Sequence, residues 1–221
     1  MARTHEEIKK DVVDQIFWDD SVDAADIQVE VLGGQVTLTG HVPNYAARAD
    51  AALDAEAVPG VRGVDNRITV EIPAAPVVPN DADIRASAQS VLRWRPGFDT
   101  AKIDVDVNEG ILTLTGNVDA YWKRYDAEEA VANLSGVIDV VNELTVVPTK
   151  RIEDEVIADD VERALDRNLL VAADDVTVKV ENGEVALTGT VPTITARRAA
   201  GTAAAYTAGI LSVENNLTVA A

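Results

Sequence analysis

The chain has 221 residues, enough for one large domain or several small ones. Its 38 Asp and Glu residues outnumber 19 Lys and Arg, and the resulting net charge of −19 repels nucleic-acid phosphates. There is no cysteine and there are two histidines, which excludes disulfides and thiol chemistry and leaves little for a metal site. We therefore expect no nucleic-acid partner, no metal and no cofactor.

The first segment of the chain predicts an amphipathic helix. Ile8, Val12 and Ile16 recur at helical spacing, and Thr4 with Glu7 has the spacing of a capping box. No apolar run near the start resembles a secretory signal, and none reaches the roughly 18 residues of a membrane span. The sequence thus predicts a cytoplasmic protein that is not integral to a membrane.

Two strands, a second helix and a last strand are predicted to follow. Apolar residues alternate with polar ones over 27–31 and again over 36–38, and the Gly33-Gly34 pair between them favours a β-hairpin. An alanine-rich stretch over 45–57 predicts a helix that lies close to a sheet. Apolar residues over 64–70 indicate the last strand, which gives the order αββαβ.

The whole pattern occurs three times. The triplet Leu-Thr-Gly is followed by an asparagine 26 residues after its glycine in each copy, at Gly40 and Asn66, Gly116 and Asn142, and Gly189 and Asn215. The predicted fold class is therefore α+β, with three tandem αββαβ units. Each unit should place two helices on one face of a small three-stranded sheet.

The spacing of the repeats also predicts the domain boundaries. We expect domains over 1–72, 81–147 and 154–221. A proline-rich linker over 73–80 should separate the first two, because three prolines in seven residues favour an extended spacer. A shorter linker over 148–153 should separate the last two. The sequence leaves the oligomeric state open.

These motifs resemble the BON domain, named for bacterial osmotically inducible Y protein and nodulation. The resemblance is carried by the V-x-L-T-G sequence over 36–40, its near matches in the other units, and the Gly-Val-x-x-V-x-N block over 60–66. It implies a bacterial, non-enzymatic protein associated with osmotic stress, transport or the cell envelope. It also implies a phospholipid surface or a protein as the partner. The alternative is a cytoplasmic sensor of a monovalent or divalent cation, or of a small molecule, with its sites between the repeats.

One cation recurs in every repeat. Arg48, Arg124 and Arg197 share a column near the start of the second helix, where the helix dipole disfavours positive charge. A guanidinium that occurs there in every repeat of an acidic chain indicates that it contacts a specific partner group. The arginines are therefore candidate contacts for an anion such as a lipid phosphate, and the alternative is a salt bridge to a strand carboxylate.

Aromatic residues supply a second set of candidates. Val13 and Phe17 form a second apolar face on the first helix, outside the stripe predicted to be buried. Trp18 and Trp94 share a column at the end of the first helix, and Trp122 begins the second helix of the middle unit. These five residues are interface candidates, either packing between units or contacting a partner or a membrane.

Overall fold

The computed structural model describes residues 3–72, 79–171 and 173–220, with Asp174 described by its backbone alone. Over these residues the predicted α+β modules are confirmed, and each consists of a helix, a hairpin, a second helix and a final strand. Residues 73–78 of the predicted proline-rich linker lie outside the described residues. Among the helices that are described, none is long and apolar enough to cross a bilayer.

The first repeat contains two α-helices, a short 3₁₀ turn and four strand segments. In chain order these are α1 (His5–Trp18), the 3₁₀ turn Ala24–Asp26, β1 (Ile27–Leu32), β2 (Gln35–Val42), α2 (Tyr45–Ala57), β3 (Gly63–Asn66) and β4 (Thr69–Val70). The capping box predicted for α1 is confirmed, because Thr4 accepts from the Glu7 N–H and Glu7 accepts from the Thr4 N–H.

The second repeat contains the same elements in the same order, and in the third repeat the last two strand segments are replaced by one strand. The second has α3 (Asp81–Trp94), the 3₁₀ turn Thr100–Lys102, β5 (Ile103–Asn108), β6 (Ile111–Val118), α4 (Tyr121–Ala132), β7 (Asp139–Asn142) and β8 (Thr145–Val146). The third has α5 (Asp154–Asp166), the 3₁₀ turn Ala173–Asp175, β9 (Val176–Glu181), β10 (Glu184–Val191), α6 (Ile194–Ala205) and β11 (Ser212–Val219).

The second hairpin strand is the central strand of each sheet. The strand orders are β1-β2-β3, β5-β6-β7 and β9-β10-β11. In the first repeat β1 is antiparallel to β2 and pairs Val29 with Leu38, whereas β3 is parallel to β2 and pairs Val36 with Val64. Parallel neighbours need a crossover, and α2 supplies it.

The last strand differs from its prediction in two repeats. A single strand is predicted over 64–70, but β3 and β4 are separated by Arg67 and Ile68. The side chain of Asn66 explains the interruption, because its Oδ1 accepts the Ile68 N–H at 3.1 Å and turns the backbone locally. The corresponding distance in the third repeat is 3.4 Å, from the Leu217 N–H to Asn215 Oδ1, and β11 there is continuous.

Each sheet buries the face that its helices cover. The predicted stripe of Ile8, Val12 and Ile16 is buried against alternate strand residues such as Val36 and Leu38. The second helix turns alanines toward this core, and its small side chains let the helix lie close to the strands. The residues that line its buried face are Ala47, Ala51 and Ala55.

Close packing divides the chain into two compact units, and the middle repeat contributes to both. One unit comprises Met1–Arg95, Val105–Leu114 and Glu129–Val141. The other comprises Pro96–Asp104, Thr115–Glu128 and Asn142–Ala221. The domain boundaries expected from the repeat spacing remain a prediction.

The glycine of the Leu-Thr-Gly triplet marks a close approach between two backbone segments. A Cβ on Gly189 would overlap the carbonyl oxygen of Asp175, which ends the 3₁₀ turn before β9, and its φ is +135°. The same overlap would occur at Gly40 with Asp26 and at Gly116 with Lys102. Because the obstacle is backbone, no change of side-chain rotamer can relieve it.

Replacing this glycine should therefore be far more damaging than replacing one in open space. We expect Gly189→Ala to lower the free energy of unfolding by about 3 kcal/mol or more, since it adds a steric clash to a disfavoured φ. Gly33→Ala is the control, because Gly33 also has a positive φ but no atom lies within 4 Å of its Cβ position. We expect about 1 kcal/mol there. Urea unfolding of the full chain measures both, and equal losses would contradict the close-approach explanation.

Candidate interaction surface

The three recurring arginines lie in the first turn of the second helix of each repeat, and all are half-buried. Each is joined to the recurring asparagine of its own repeat. The asparagine Nδ2 donates to the arginine carbonyl oxygen at 2.6, 2.7 and 2.6 Å, in the pairs Asn66 with Arg48, Asn142 with Arg124 and Asn215 with Arg197. The two columns noted in the sequence therefore meet in space.

The arginine side chains return this contact in the second and third repeats. Arg124 donates to the Asn142 carbonyl oxygen at 2.9 Å, and Arg197 donates to the Asn215 carbonyl oxygen at 3.1 Å. Arg48 instead donates to the carboxylate of Asp139 at 3.4 Å. The arginines thus hold the second helix against a strand, and a contact with an external anion stays a prediction.

The tryptophans at the ends of the first helices are exposed. Trp18 and Trp94 are the last residues of α1 and α3 and are 80 % and 83 % exposed. Phe17, 66 % exposed, meets the Trp18 ring edge to face at a centroid distance of 5.6 Å. Val13, one turn earlier on α1, is also exposed. The predicted second apolar face of the first helix therefore faces outward in this chain.

The third repeat exposes apolar residues at the same place with different side chains. Arg167 occupies the column of Trp18 and Trp94, and Leu169 and Leu170 just after it are exposed. Sequence reasoning missed these leucines. The available signal was an adjacent leucine pair that belongs neither to the helical stripe nor to the strand alternation. We call these three groups, Phe17 with Trp18, Trp94, and Leu169 with Leu170, the apolar tips.

Two of the apolar tips have arginine beside them although the chain is acidic, and in the third repeat Asp166 precedes that arginine. Trp94 lies between Arg93 and Arg95, and Leu169 follows Arg167 by two residues. The tip of the first repeat differs, because Trp18 is followed by two aspartates. The tips of the second and third repeats therefore combine apolar surface with guanidinium groups.

The fifth predicted interface residue, Trp122, packs between the second and third repeats. Its ring is half-buried and stacks on Tyr206 at a centroid distance of 6.0 Å, with 14° between the ring planes. Its neighbour Tyr121 belongs to the apolar core of the third repeat. A cavity of about 320 Å³ lies beside this stack, and its lining includes Tyr125 and Arg198, which sequence reasoning did not identify.

A group of carboxylates lies where α1 ends beside α2. Burial raises the pKa values of Asp50 and Asp54, and the negative charge of Asp19 adds to the effect on both. Hydrogen bonds from Ser21 lower the pKa of Asp19. Among the residues the structure describes, no group of three or more His, Asp or Glu side chains is placed to hold a metal ion.

The family model of the BON domain matches residues 4–72, 80–148 and 153–221, nearly the whole chain. No curated protein matches this chain significantly.

Two similar solved structures are of CdsD from Chlamydia trachomatis, a structural protein of the type III secretion system. One, its C-terminal domain, is 16 % identical with a TM-score of 0.28 and covers 96 % of each chain. The other is 17 % identical with a TM-score of 0.27 and covers 97 % of this chain and 92 % of its own. At TM-scores this low, neither structure supports a statement about this chain.

The asparagine column should be essential to stability. We expect Asn215→Ala to lower the free energy of unfolding by about 1–3 kcal/mol, since it removes the bond to the Arg197 carbonyl and the one from the Leu217 N–H. The neighbouring Asn216→Ala is the control, because Asn216 is exposed and makes one long bond to Glu214. Urea unfolding measures both, and an Asn215→Ala loss no larger than the control's would contradict this role.

Asp54 should destabilise the fold as it ionises. A folded-state pKa above the unfolded value means that Asp54 stabilises the fold when protonated, and that this contribution is lost as the pH rises through the folded pKa. We expect Asp54→Asn to raise the Tm by about 1–4 °C at pH 7 and by less at pH 4. The exposed Asp20→Asn changes the net charge equally and should leave the Tm nearly unchanged. A Tm gain for Asp54→Asn that is the same at both pH values would contradict the assignment.

Proposed function

Because this chain belongs to the BON-domain family and carries three copies of the domain, we propose that it acts by binding, with a phospholipid surface as its ligand. The observation that carries the proposal is the apolar tip at the end of the first helix of every repeat. We also propose a non-enzymatic role in osmotic stress or in envelope-associated transport, the settings that the family resemblance implies.

The exposure of the tips supports contact with a membrane interface. An aromatic side chain left in water forfeits the favourable free energy of apolar burial, about 25 cal/mol per Å². Tryptophan combines an apolar ring with an N–H donor and is enriched where lipid tails meet headgroups. Trp18 and Trp94 each end a helix at an exposed corner, where they can enter such an interface without unfolding their repeat.

The local charge of the tips bears on which lipids they contact. A net charge of −19 repels an anionic bilayer at long range, but screening limits that repulsion to about 8 Å at physiological ionic strength. At shorter range the guanidinium groups flanking Trp94 and preceding Leu169 attract phosphates. The second and third repeats therefore provide the lipid contacts in this proposal, and the first adds aromatic surface.

Sedimentation with vesicles tests the proposal. We expect the full chain to bind phosphatidylcholine vesicles that contain phosphatidylglycerol, and Trp94→Ala to weaken the partition coefficient about tenfold. Leu32→Ala is the matched control, because Leu32 is 79 % exposed and lies beside the hairpin turn that contacts the start of α1, away from the tip. Absence of binding to any vesicle, or equal weakening by both variants, would reject the proposal.

The arginine column is tested in the same assay. Changing Arg48, Arg124 and Arg197 together to Gln removes any contact that their guanidinium groups make with headgroup phosphates. If the arginines only hold the helix against the strand, the triple variant loses Tm and binds vesicles normally while it is folded. Weaker binding at an unchanged Tm would assign the phosphate contact to this column.

A further inference from the structure

A second site is suggested by the cavity beside the stack of Trp122 and Tyr206. It lies between Tyr125 of α4 and residues of α6 and β11, and its volume of about 320 Å³ falls within the range of small-molecule pockets. None of its eight lining residues is acidic, although the chain carries twice as many acidic as basic residues. An anion would therefore meet less repulsion here than over most of the surface.

The cavity lacks a carboxylate that the second repeat has at the corresponding position. In the second repeat Asn142 Nδ2 donates both to the helix carbonyl and, at 3.2 Å, to the carboxylate of Glu128. In the third repeat the position of Glu128 is taken by Gly201, and among the described residues Asn215 Nδ2 donates to the helix carbonyl alone. An amide nitrogen has two N–H donors. Asn215 lines the cavity, and the third repeat has no counterpart of the Glu128 carboxylate to accept a hydrogen bond from its second N–H.

A cation accompanies this loss of a carboxylate. Arg198 lines the cavity and occupies the column that holds Tyr125 in the second repeat. Partial desolvation of the guanidinium lowers the pKa of Arg198, and a partly desolvated cation gains more from a nearby anion than one fully surrounded by water. In the first repeat the columns of Arg198 and Gly201 both hold alanine, at Ala49 and Ala52. The third repeat therefore combines an added cation with an open carboxylate position.

We propose that this cavity binds a small aromatic carboxylate, whose charged group takes the place that the Glu128 carboxylate occupies in the second repeat. The ligand carboxylate accepts hydrogen bonds from Asn215 and Arg198. Its ring lies against Tyr206, which is 59 % exposed although it already stacks on Trp122. Parallel aromatic stacking favours a planar ligand over an aliphatic one of similar size.

Tyr125 adds a phenol ring at the cavity wall. Burial and the hydrogen bond with Tyr121, at 3.4 Å between the hydroxyl oxygens, raise the pKa of Tyr125 to about 12. Because a hydrogen bond that raises a phenol pKa uses the phenol's own proton, Tyr125 donates to Tyr121 and offers its ring to the ligand. The cavity shares no residue with the apolar tips, so variants of one site leave the residues of the other unchanged.

Calorimetric titration of the full chain with 2-naphthoate tests the site. We expect sub-millimolar binding, and at least tenfold weaker binding of 2-naphthamide and of acetate, which lack the charge and the rings respectively. Gly201→Glu supplies the missing carboxylate from the chain itself and should weaken naphthoate binding at least tenfold. Its Cβ would come within 2.7 Å of Asn215 Nδ2, so the Tm of this variant is measured beside its affinity. Ala52→Glu, in the same column of the first repeat, should bind naphthoate like the parent.

A second variant and a resonance assignment keep the test independent of how Gly201→Glu folds. Arg198→Gln should weaken naphthoate binding at least tenfold, whereas Arg163→Gln, at an exposed position of α5, should leave it unchanged. Naphthoate should shift the indole N–H resonance of Trp122 and leave those of Trp18 and Trp94 in place. Equal affinity for the amide, parent-like affinity of folded Gly201→Glu or Arg198→Gln, or shifts at Trp18 or Trp94 alone would overturn the proposal.

Discussion

A contact between one isoleucine and two glycines holds each repeat together. A Cβ on Gly60 would come within 2.9 Å of Ile8 Cδ1, and a Cβ on Gly34 would come within 2.9 Å of the Gly60 carbonyl oxygen. The same contacts recur in the other repeats, at 2.8 Å for both in the second and 3.1 Å for both in the third. These contacts bring together the start of the first helix, the hairpin turn and the end of the second helix. The three segments are packed too closely for a side chain to lie between them, and the other elements of the repeat depend on this packing.

The isoleucine, glycines and asparagine that recur in the sequence are therefore residues that the fold requires. The isoleucine and glycines permit a close approach, the glycine of Leu-Thr-Gly accommodates a backbone carbonyl, and the asparagine joins helix to strand through the arginine carbonyl. The recurrence of these positions reports what each copy needs in order to fold. Differences between copies point to the cavity of the third repeat. The third copy has arginine where the second has Tyr125, and glycine where the second has Glu128.

Charge acts at two distances in this protein. At long range the excess of carboxylates sets the field and disfavours anionic partners. At short range individual guanidinium groups prevail, because an attraction across a few ångströms in a partly desolvated site exceeds a screened repulsion from the rest of the surface. Arg198 in the cavity and the arginines around Trp94 are local exceptions of this kind. A chain that is acidic overall can therefore still contain anion-binding sites.

The sequence by itself determined the repeat, the order of elements and the bounds of the second helix. The second helix is predicted over 45–57 and observed as Tyr45–Ala57, because hydrophobic period, alanine content and turn residues are local properties of the chain. Only the tertiary structure decided which side chains meet. Trp18 and Trp94 are exposed, whereas Trp122 stacks on Tyr206. Arg48 pairs with Asp139, whereas the corresponding arginines of the other repeats bind a strand carbonyl. Those contacts join residues that are 18 to 91 positions apart, and local periodicity carries no information about distances between separate elements.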